Sequence, residues 1–479
     1  MRNLTLLTDF YELTMMYGYF KQKKTDEVVV FDVFFRRNAL ITYSVSAGLE
    51  QVVEYLENLH FNDEDIKYLE SLKAFDDEFL SFLKDFKFTG QVYAVKEGTV
   101  VFPDEPVLII KSNILEAQIV ETAILNILNH QTLIASKAAK VCYAAQGDAV
   151  MEFGLRRAQG PDAGIYGTRA SVIGGCGSTS NVLAGQMFGI KLSGTQAHSW
   201  VMGFPTELDA FMAYAEVYPD ATLLLVDTYD TLKSGVPNAI KCFDYLVKNG
   251  HKPVGIRIDS GDLAYLTKQA RKMLDDAGYD YVKICASGDL DEKLITSLKL
   301  QGACIDVWGV GTKLITGGEM PALGGVYKLS AVEENGKFIP KIKLSDNSIK
   351  TTNPGFKTLY RVYDKDGMAF ADLIALKEEF IDASKPLTLT HPTERWKSIT
   401  LEAGEYTLRE LSELIMENGK YIGKKPSLEE ICAYAKRERD SFWDEYKRID
   451  NPHIYKVDLS DGLYALKEGM IKELRKTKV

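Results

Sequence analysis

Four short apolar runs constrain what this chain can fold into: TLLLVDTYDT (222–231), VGIRIDSGD (254–262), VKICASGDLD (282–291) and CIDVWGVGT (304–312). Each stops at a loop of Asp, Ser, Gly or Thr. Apolar runs without polar alternation fit strands covered on both faces, as in a parallel sheet. Between them lie the helical patterns PNAIKCFDYLVKNG and DLAYLTKQARKMLDDAG, each ending in a Gly suited to a C-cap. Such βα repetition with right-handed crossovers gives an α/β barrel or an open doubly wound sheet. With AVMEF and IKLSGT there are six strand candidates, short of the eight of a regular barrel. An irregular, incomplete α/β barrel is expected. Ligands gather where such strands end, so four loops in series predict one shared pocket.

The 479 residues fall into three stretches, 1–145, 146–330 and 331–479. In the first, VVVFDVFFR reads as a strand. YSVSAGLEQVVEYLENL, DEDIKYLESL and DDEFLSFLKDF read as amphipathic helices. GQVYAVKEGTVVFPDEPVLIIKS suggests β-hairpins closed at EG and PDEP. Residues 117–145 form a long helix too apolar for a free surface, expected to pack between domains. The middle stretch is the α/β repetition. In the last, KIKLSDNSIKTTNPGFKTLYRVYDKDGMAFADLIAL suggests antiparallel strands, and LRELSELIMENGK and LEEICAYAKRERDSFWDEYKR suggest helices.

Charge and cysteine usage exclude several classes. A net charge of −10 without a dense basic block argues against a nucleic-acid binder or adhesion to an anionic membrane. No apolar run nears eighteen residues, and MRNLTLLTDFYELT has no h-region, so neither a membrane span nor a signal peptide is expected. Six scattered cysteines without a CxxC pair fit buried thiols in a reducing cytosol. The six histidines are equally dispersed, so structural zinc is not expected.

The loops carry the chemistry. GVGT (309–312) offers N–H groups with little bulk, an anion nest or a plain strand-to-helix turn. It lacks the GK[ST] ending of a triphosphate P-loop. In IRIDSGD, Arg257 and Asp259 stand two apart and face one side of a strand end. They form either a structural ion pair or a site in which Asp259 holds ribose hydroxyls and Arg257 lies against an aromatic anion. VDTYDT ends a strand at Asp227 but only superficially resembles the PRPP loop of type I phosphoribosyltransferases, because Thr228 replaces the second acid. His198, in SGTQAHSW, is flanked by small and hydroxylic residues. It reads either as a satisfied core histidine or as a base or nucleophile able to accept a phosphoryl group. Arg156 and Arg157 beside Phe153 suit a flat carboxylated ring or a diphosphate, or else a surface salt-bridge pair.

Together these segments resemble nicotinate phosphoribosyltransferases over almost the whole chain. LLTDFYELTMMYGY resembles the family's N-terminal signature. FGLRRAQGPDAG, GGCGSTSN, SGTQAHS, VDTYDT, RIDSGDL, SGDLD and WGVGT are similar to its core motifs, in order. ETAILNILNHQTLIASKAAK resembles a helix shared by type II phosphoribosyltransferases. KLSDNSIKTTNPGFKTLYR and YKVDLSDGL are similar to its C-terminal segments. The resemblance implies that nicotinate displaces pyrophosphate from PRPP, giving nicotinate mononucleotide for NAD synthesis. ATP hydrolysis is coupled to the transfer, Mg²⁺ accompanies the phosphates, and His198 is transiently phosphorylated. It places nicotinate contacts at Tyr11, Phe153, Thr195 and Arg257. PRPP or phosphate contacts fall on Arg156, Gly288, Asp289, Gly311 and Thr312, and ribose or Mg²⁺ contacts on Asp227 and Asp259. The implied fold is an irregular α/β barrel beside an α/β sandwich built from both chain ends. The implied assembly is a cytoplasmic homodimer with active sites at the subunit interface, so that Tyr11 reaches a neighbour's barrel. The zinc of some archaeal relatives is not expected, because only Cys432 lies near the C-terminus.

Rival readings remain open. A nicotinamide-using relative would need an acid for the amide. GTRASVIGG (167–175) offers Arg169 and Ser171 instead, favouring a carboxylate ligand. A quinolinate-using relative would be shorter and lack SGTQAHS. A phosphate-binding barrel lyase or isomerase would need a strand-end lysine or a proton-transfer pair. Of the four apolar runs, only VKICASG places a lysine, Lys283, within a strand, and near its start rather than its end.

Overall fold

The computed structural model describes residues 3–37, 42–345, 351–394 and 396–476. Residues 346–350 of the KLSDNSIKTTNPGFKTLYR segment lie outside the described residues. The chain divides into two compact units, one from residues 134–321 and one from residues 1–133 and 322–479.

The 134–321 unit is built on a six-stranded parallel sheet. Its order is Ser178–Thr179, Ala149–Glu152, Val307–Val310, Lys283–Gly288, Gly255–Ile258 and Leu223–Leu225. Two edges stay open, as the incomplete barrel of the sequence reading requires. Ile256, Ile284 and Trp308 are fully buried, which is why these strands carry unbroken apolar runs. The helices Val236–Lys248, Leu263–Asp276 and Glu292–Leu300 make the crossovers. Gly250 and Gly278 follow the first two with φ of 84° and 85°, a conformation that glycine adopts without strain. Before Val236–Lys248, a Cβ on Gly235 would lie 1.8 Å from the Val226 carbonyl oxygen. Only a glycine lets that turn sit on the strand end.

The order of the strands differs from expectation at one place. IKLSGT forms no strand, only an isolated bridge from Leu192 to Thr179. The sixth strand is Ser178–Thr179, inside the GGCGSTSN segment and ahead of a helix. That helix, Val182–Phe188, begins later, capped by the Asn181 side chain.

The other unit joins both ends of the chain. Val28–Phe35 pairs antiparallel with Gly325–Glu334 on one side and Leu108–Asn113 on the other, in a seven-stranded sheet. A six-stranded sheet forms from C-terminal segments, among them Lys357–Tyr363 and Ala369–Leu376, paired antiparallel as expected. The hairpin reading of 90–112 is corrected. Gln91–Ala94 pairs with Leu108–Asn113, whereas the intervening Val100–Val101 leaves to pair with Ser44–Val45. LRELSELIMENGK is corrected too: it forms the strands Thr407–Glu410, Glu413–Glu417 and Lys420–Tyr421. The long apolar helix is two, Ile114–Ile119 and Glu121–Ala144, and the division between units falls inside the second.

Candidate active site

The loops after three of the four apolar runs, together with FGLRRAQGPDAG and SGTQAHS, open onto one cavity of about 630 Å³ within the 134–321 unit, and from TLLLVDTYDT only Leu225 lines it. Its centre is Arg257, which leaves Gly255–Ile258 with its side chain only 15% exposed. Nε donates to Ser287 Oγ at 2.7 Å, and Nη1 donates to Thr195 Oγ1 at 2.6 Å and to the Gln196 carbonyl at 3.3 Å. Nη2 donates to Asp259 Oδ1 at 2.7 Å. The guanidinium is thereby fixed in plane by two strand ends and the loop at Thr195, as a bidentate cation can be and a lysine cannot.

Asp259 is held from several sides. Ser287 donates its hydroxyl to Oδ1, and His198 Nε2 lies 4.0 Å from Oδ2. Burial would raise this carboxyl, but the Ser287 hydrogen bond and the Arg257 guanidinium outweigh it and hold it below its ordinary value. Asp227 stands behind: its Oδ2 accepts the Asp259 N–H at 2.9 Å and the Ser260 hydroxyl at 2.6 Å. It is not among the residues lining the cavity. His198 opens the short helix His198–Met202, and its Nδ1 pairs with Thr228 Oγ1 at 3.1 Å. Its side chain is 41% exposed, so the ring is reachable from the cavity.

The opposite wall comes from the strands at Ala149 and Val307. Phe153 donates its N–H to the Val310 carbonyl at 2.8 Å. Its ring lies on Gly309, where a Cβ would come within 2.9 Å of two ring carbons. Glu152, fully buried, accepts from the Gly154 N–H, from Thr168 Oγ1 at 3.0 Å and from Thr179 Oγ1 at 2.6 Å. That anchor fixes the turn Leu155–Arg157, which brings Arg156 and Arg157 to the rim. Gly288 has φ +115°, and a Cβ there would meet the Asp259 carbonyl at 2.7 Å. With Asp289, Gly311 and Thr312 it supplies a low-bulk floor.

The structure thus gathers Phe153, Arg156, Thr195, His198, Arg257, Asp259, Gly288, Asp289, Gly311 and Thr312 around one space. Tyr11 is elsewhere, 48% exposed on Phe10–Lys21 of the other unit. Burial and a hydrogen bond to Glu12 push its phenol well above the ordinary range. The reasoning from GTRASVIGG is corrected. Arg169 and Ser171 are buried in the helix Pro161–Gly174, and neither lines the cavity. The cations that do are Arg156, Arg157 and Arg257. No lysine lines it among the described residues, and Lys283 begins its strand exposed to solvent. Ser287 and Glu152 were not singled out from sequence, and Thr228 was read there only as the replacement for a second acid. Ser287 could have been, because it closes the same apolar run as Gly288 and Asp289.

Among the described residues no helix is long and apolar enough to cross a membrane. The chain matches three family profiles: the nicotinate phosphoribosyltransferase N-terminal domain over residues 6–129, the family itself over 149–372 and the C-terminal domain over 356–467. It is 44% identical over 475 residues to the nicotinate phosphoribosyltransferase of Bacillus subtilis, covering 99% of this chain and 96% of that one. The human enzyme of the same name is 31% identical over 519 residues, covering 96% of this chain and 95% of its own. The crystal structure of human nicotinic acid phosphoribosyltransferase superposes with a TM-score of 0.86 at 30% identity, over 96% of this chain and 99% of that one. A nicotinate-nucleotide pyrophosphorylase from Pyrococcus furiosus shares the fold, with a TM-score of 0.70 at 24% identity over 92% and 96% of the two chains. Full-length identity and superposition agree with the motif order, and the chain belongs to the nicotinate phosphoribosyltransferase family.

Proposed function

We propose that this enzyme transfers the phosphoribosyl group of PRPP to nicotinate, forming nicotinate mononucleotide and pyrophosphate for NAD synthesis, with ATP hydrolysis coupled through His198. The observation that carries the reading is the charge of the cavity: three guanidinium groups against the carboxylates of Asp259 and Asp289. An anionic ring and a diphosphate need that excess; a neutral amide does not.

The pyridine nitrogen attacks the ribose C1 as the C1–O bond to diphosphate breaks, and the bonding pair leaves with pyrophosphate. No proton moves, so no strong general base is required. Arg257 and Thr195 orient the nicotinate carboxylate, and Phe153 stacks on the ring. Asp259, kept ionised by Arg257 and Ser287, stands near the positive charge developing on C1 and takes the ribose hydroxyls. Asp227 positions it through the Asp259 N–H. Arg156 receives the leaving group, while the N–H groups of Gly288, Asp289, Gly311 and Thr312 hold the ribose 5-phosphate. Preorganised groups of this kind contribute about 3–4 kcal/mol each. Mg²⁺ arrives with the substrate phosphates rather than in a protein cage. When bound, Mg²⁺ neutralises phosphate charge. Asp289, exposed in the cavity, suits it.

His198 accepts the γ-phosphoryl of ATP on a ring nitrogen as the bond to ADP breaks, and water later removes it. The added charge shifts the affinities for substrates and products in each cycle. Two copies pair so that Tyr11 of one completes the cavity of the other.

The test is product formation from PRPP and Mg²⁺ with nicotinate, nicotinamide or quinolinate, each with and without ATP. Nicotinate alone should react, and faster with ATP. Turnover of nicotinamide would overturn the charge argument. His198→Ala should keep weak transfer and lose the ATP stimulation; a full ATP-dependent rate would remove His198 from the mechanism. Mixing Tyr11→Ala with His198→Ala chains should restore about a quarter of sites if Tyr11 acts across copies, and none if it does not.

A further inference from the structure

The unit formed by both chain ends holds a second cavity, of about 660 Å³, that the reaction above does not use. Five segments far apart in sequence build it: the end of Val28–Phe35, the turn at 103–106, residues 351–357, residues 391–394 with Lys397, and residues 453–457. Lys467 reaches it from the helix Asp461–Lys476. Its size lies within the range of small-molecule sites.

Its charges are only partly matched. Lys357, 3% exposed, spends all three N–H groups on Asp32 at 2.7 Å, the Asn353 carbonyl at 2.9 Å and the Gly355 carbonyl at 2.6 Å. Lys397 is paired with Glu394. Lys467 is different. It is 6% exposed, yet among the described residues its ammonium has a single hydrogen bond, to Asn353 Oδ1 at 2.8 Å. Leaving the other donors of a buried cation unmatched is costly. Arg37 is exposed, with no hydrogen-bond partner among the described residues. Lys456 also lines the cavity, in contact with the Phe370 ring. His391 Nδ1 accepts the Glu394 N–H at 3.1 Å, so a neutral ring carries its proton on Nε2 and can donate. Of the carboxylates lining the cavity, the remaining one is Asp104, itself held at φ +71°. Outside the lining, Asp458 acts on Lys456 and His391, and Glu468 on Lys467. Within the lining, three cations and an imidazole donor face one unpaired acid.

We infer that this cavity is an anion site for a phosphate-bearing small molecule, with Lys467 at its base and Arg37, Lys456 and His391 around it. Lys467 supplies two buried donors to phosphate oxygens, and Arg37 can bind them in a fork. The site is separate from the 630 Å³ cavity of the other unit and does not depend on the reaction proposed there.

The experiment is calorimetric titration of the full chain with inorganic phosphate, diphosphate and ATP. Diphosphate should fill two sites per chain. Lys467→Met should lose one and keep the other, whereas Arg156→Ala should lose the other. Because a buried lysine can be needed for folding, the exposed pair Arg37→Ala with Lys456→Ala is measured as well. It should weaken the same site by 10-fold or more with the melting temperature unchanged. ATP competing with diphosphate at the site that depends on Lys467 would identify a nucleotide ligand; phosphate competing without ATP would identify a smaller anion. A single diphosphate site in the wild type that survives in the Lys467→Met variant would overturn the proposal. So would two sites that both survive in the Lys467→Met and Arg37→Ala/Lys456→Ala variants.

Discussion

Ser287 is the side chain whose removal best tests how the catalytic centre is organised. Its hydroxyl oxygen accepts from Arg257 Nε at 2.7 Å and its proton goes to Asp259 Oδ1. The residue is 3% exposed, so water does not replace it without rearrangement. Ser287→Ala takes one of four hydrogen bonds from Arg257 and one of the two donors from Asp259 Oδ1. Both bonds involve a charged group, and such bonds contribute about 1.5–3 kcal/mol each. If about 2–3 kcal/mol of this positioning is expressed in the transition state, kcat/KM for nicotinate falls about 30- to 150-fold. Ser287→Cys, which keeps a weak donor, should fall between the two. The pH dependence has a definite sign. Asp259 titrates below its ordinary value in the folded chain, so it contributes stability above the unfolded carboxyl pKa, lost as pH falls through the depressed folded value. Removing Ser287 raises the folded value, so both the acid limb of kcat/KM and the acid unfolding midpoint move to higher pH. The assay is steady-state kinetics from neutral pH down through and below the ordinary carboxyl range, with acid denaturation followed by circular dichroism. A folded Ser287→Ala enzyme within twofold of the wild type, with an unmoved acid limb, would refute the hub.

Gly309→Ala sets a Cβ 2.9 Å from the Phe153 ring; KM for nicotinate should rise about 10-fold with kcat less affected, and an unchanged KM would detach Phe153 from the ring site. Arg361 is fully buried, paired with Asp372 at 2.6 Å and Glu438 at 2.8 Å. Arg361→Met should therefore destabilise by about 3–5 kcal/mol, read as a lower urea midpoint, and a loss below 1 kcal/mol would contradict the pairing. Glu121 is pushed up to about 7 by burial and by Glu12. Its folded form favours the proton, so it lowers stability as pH rises from the unfolded carboxyl range through 7. Glu121→Gln should gain stability over the wild type at pH 8 and match it at pH 4; equal melting curves at both would disprove this.

Sequence alone carried the catalytic unit well because its signals are local. TLLLVD, GIRID, KICASG and DVWGV are short apolar runs whose burial on both faces is written into composition, and the glycines after their helices mark the turns. The strand ends then placed Arg257, Asp259, Gly288 and Thr312 on one side of the sheet, because parallel strands share a carboxyl end. What failed depended on distant partners. LRELSELIMENGK has helix-forming Leu and Glu, yet Glu413–Glu417 pairs with Gln91–Ala94, more than three hundred residues away. Val100–Val101 left its expected hairpin for Ser44–Val45 for the same reason. Arg169 looked available in sequence and proved buried. The sequence determined the strand ends, the phosphate-sized loops and the residue types at them, since each follows from periodicity and side-chain chemistry within a few residues. Only the tertiary structure decided that Ser287 ties Arg257 to Asp259, that Asp227 acts from behind, and that a second basic cavity exists. Those facts depend on distances across the fold, which no local pattern encodes.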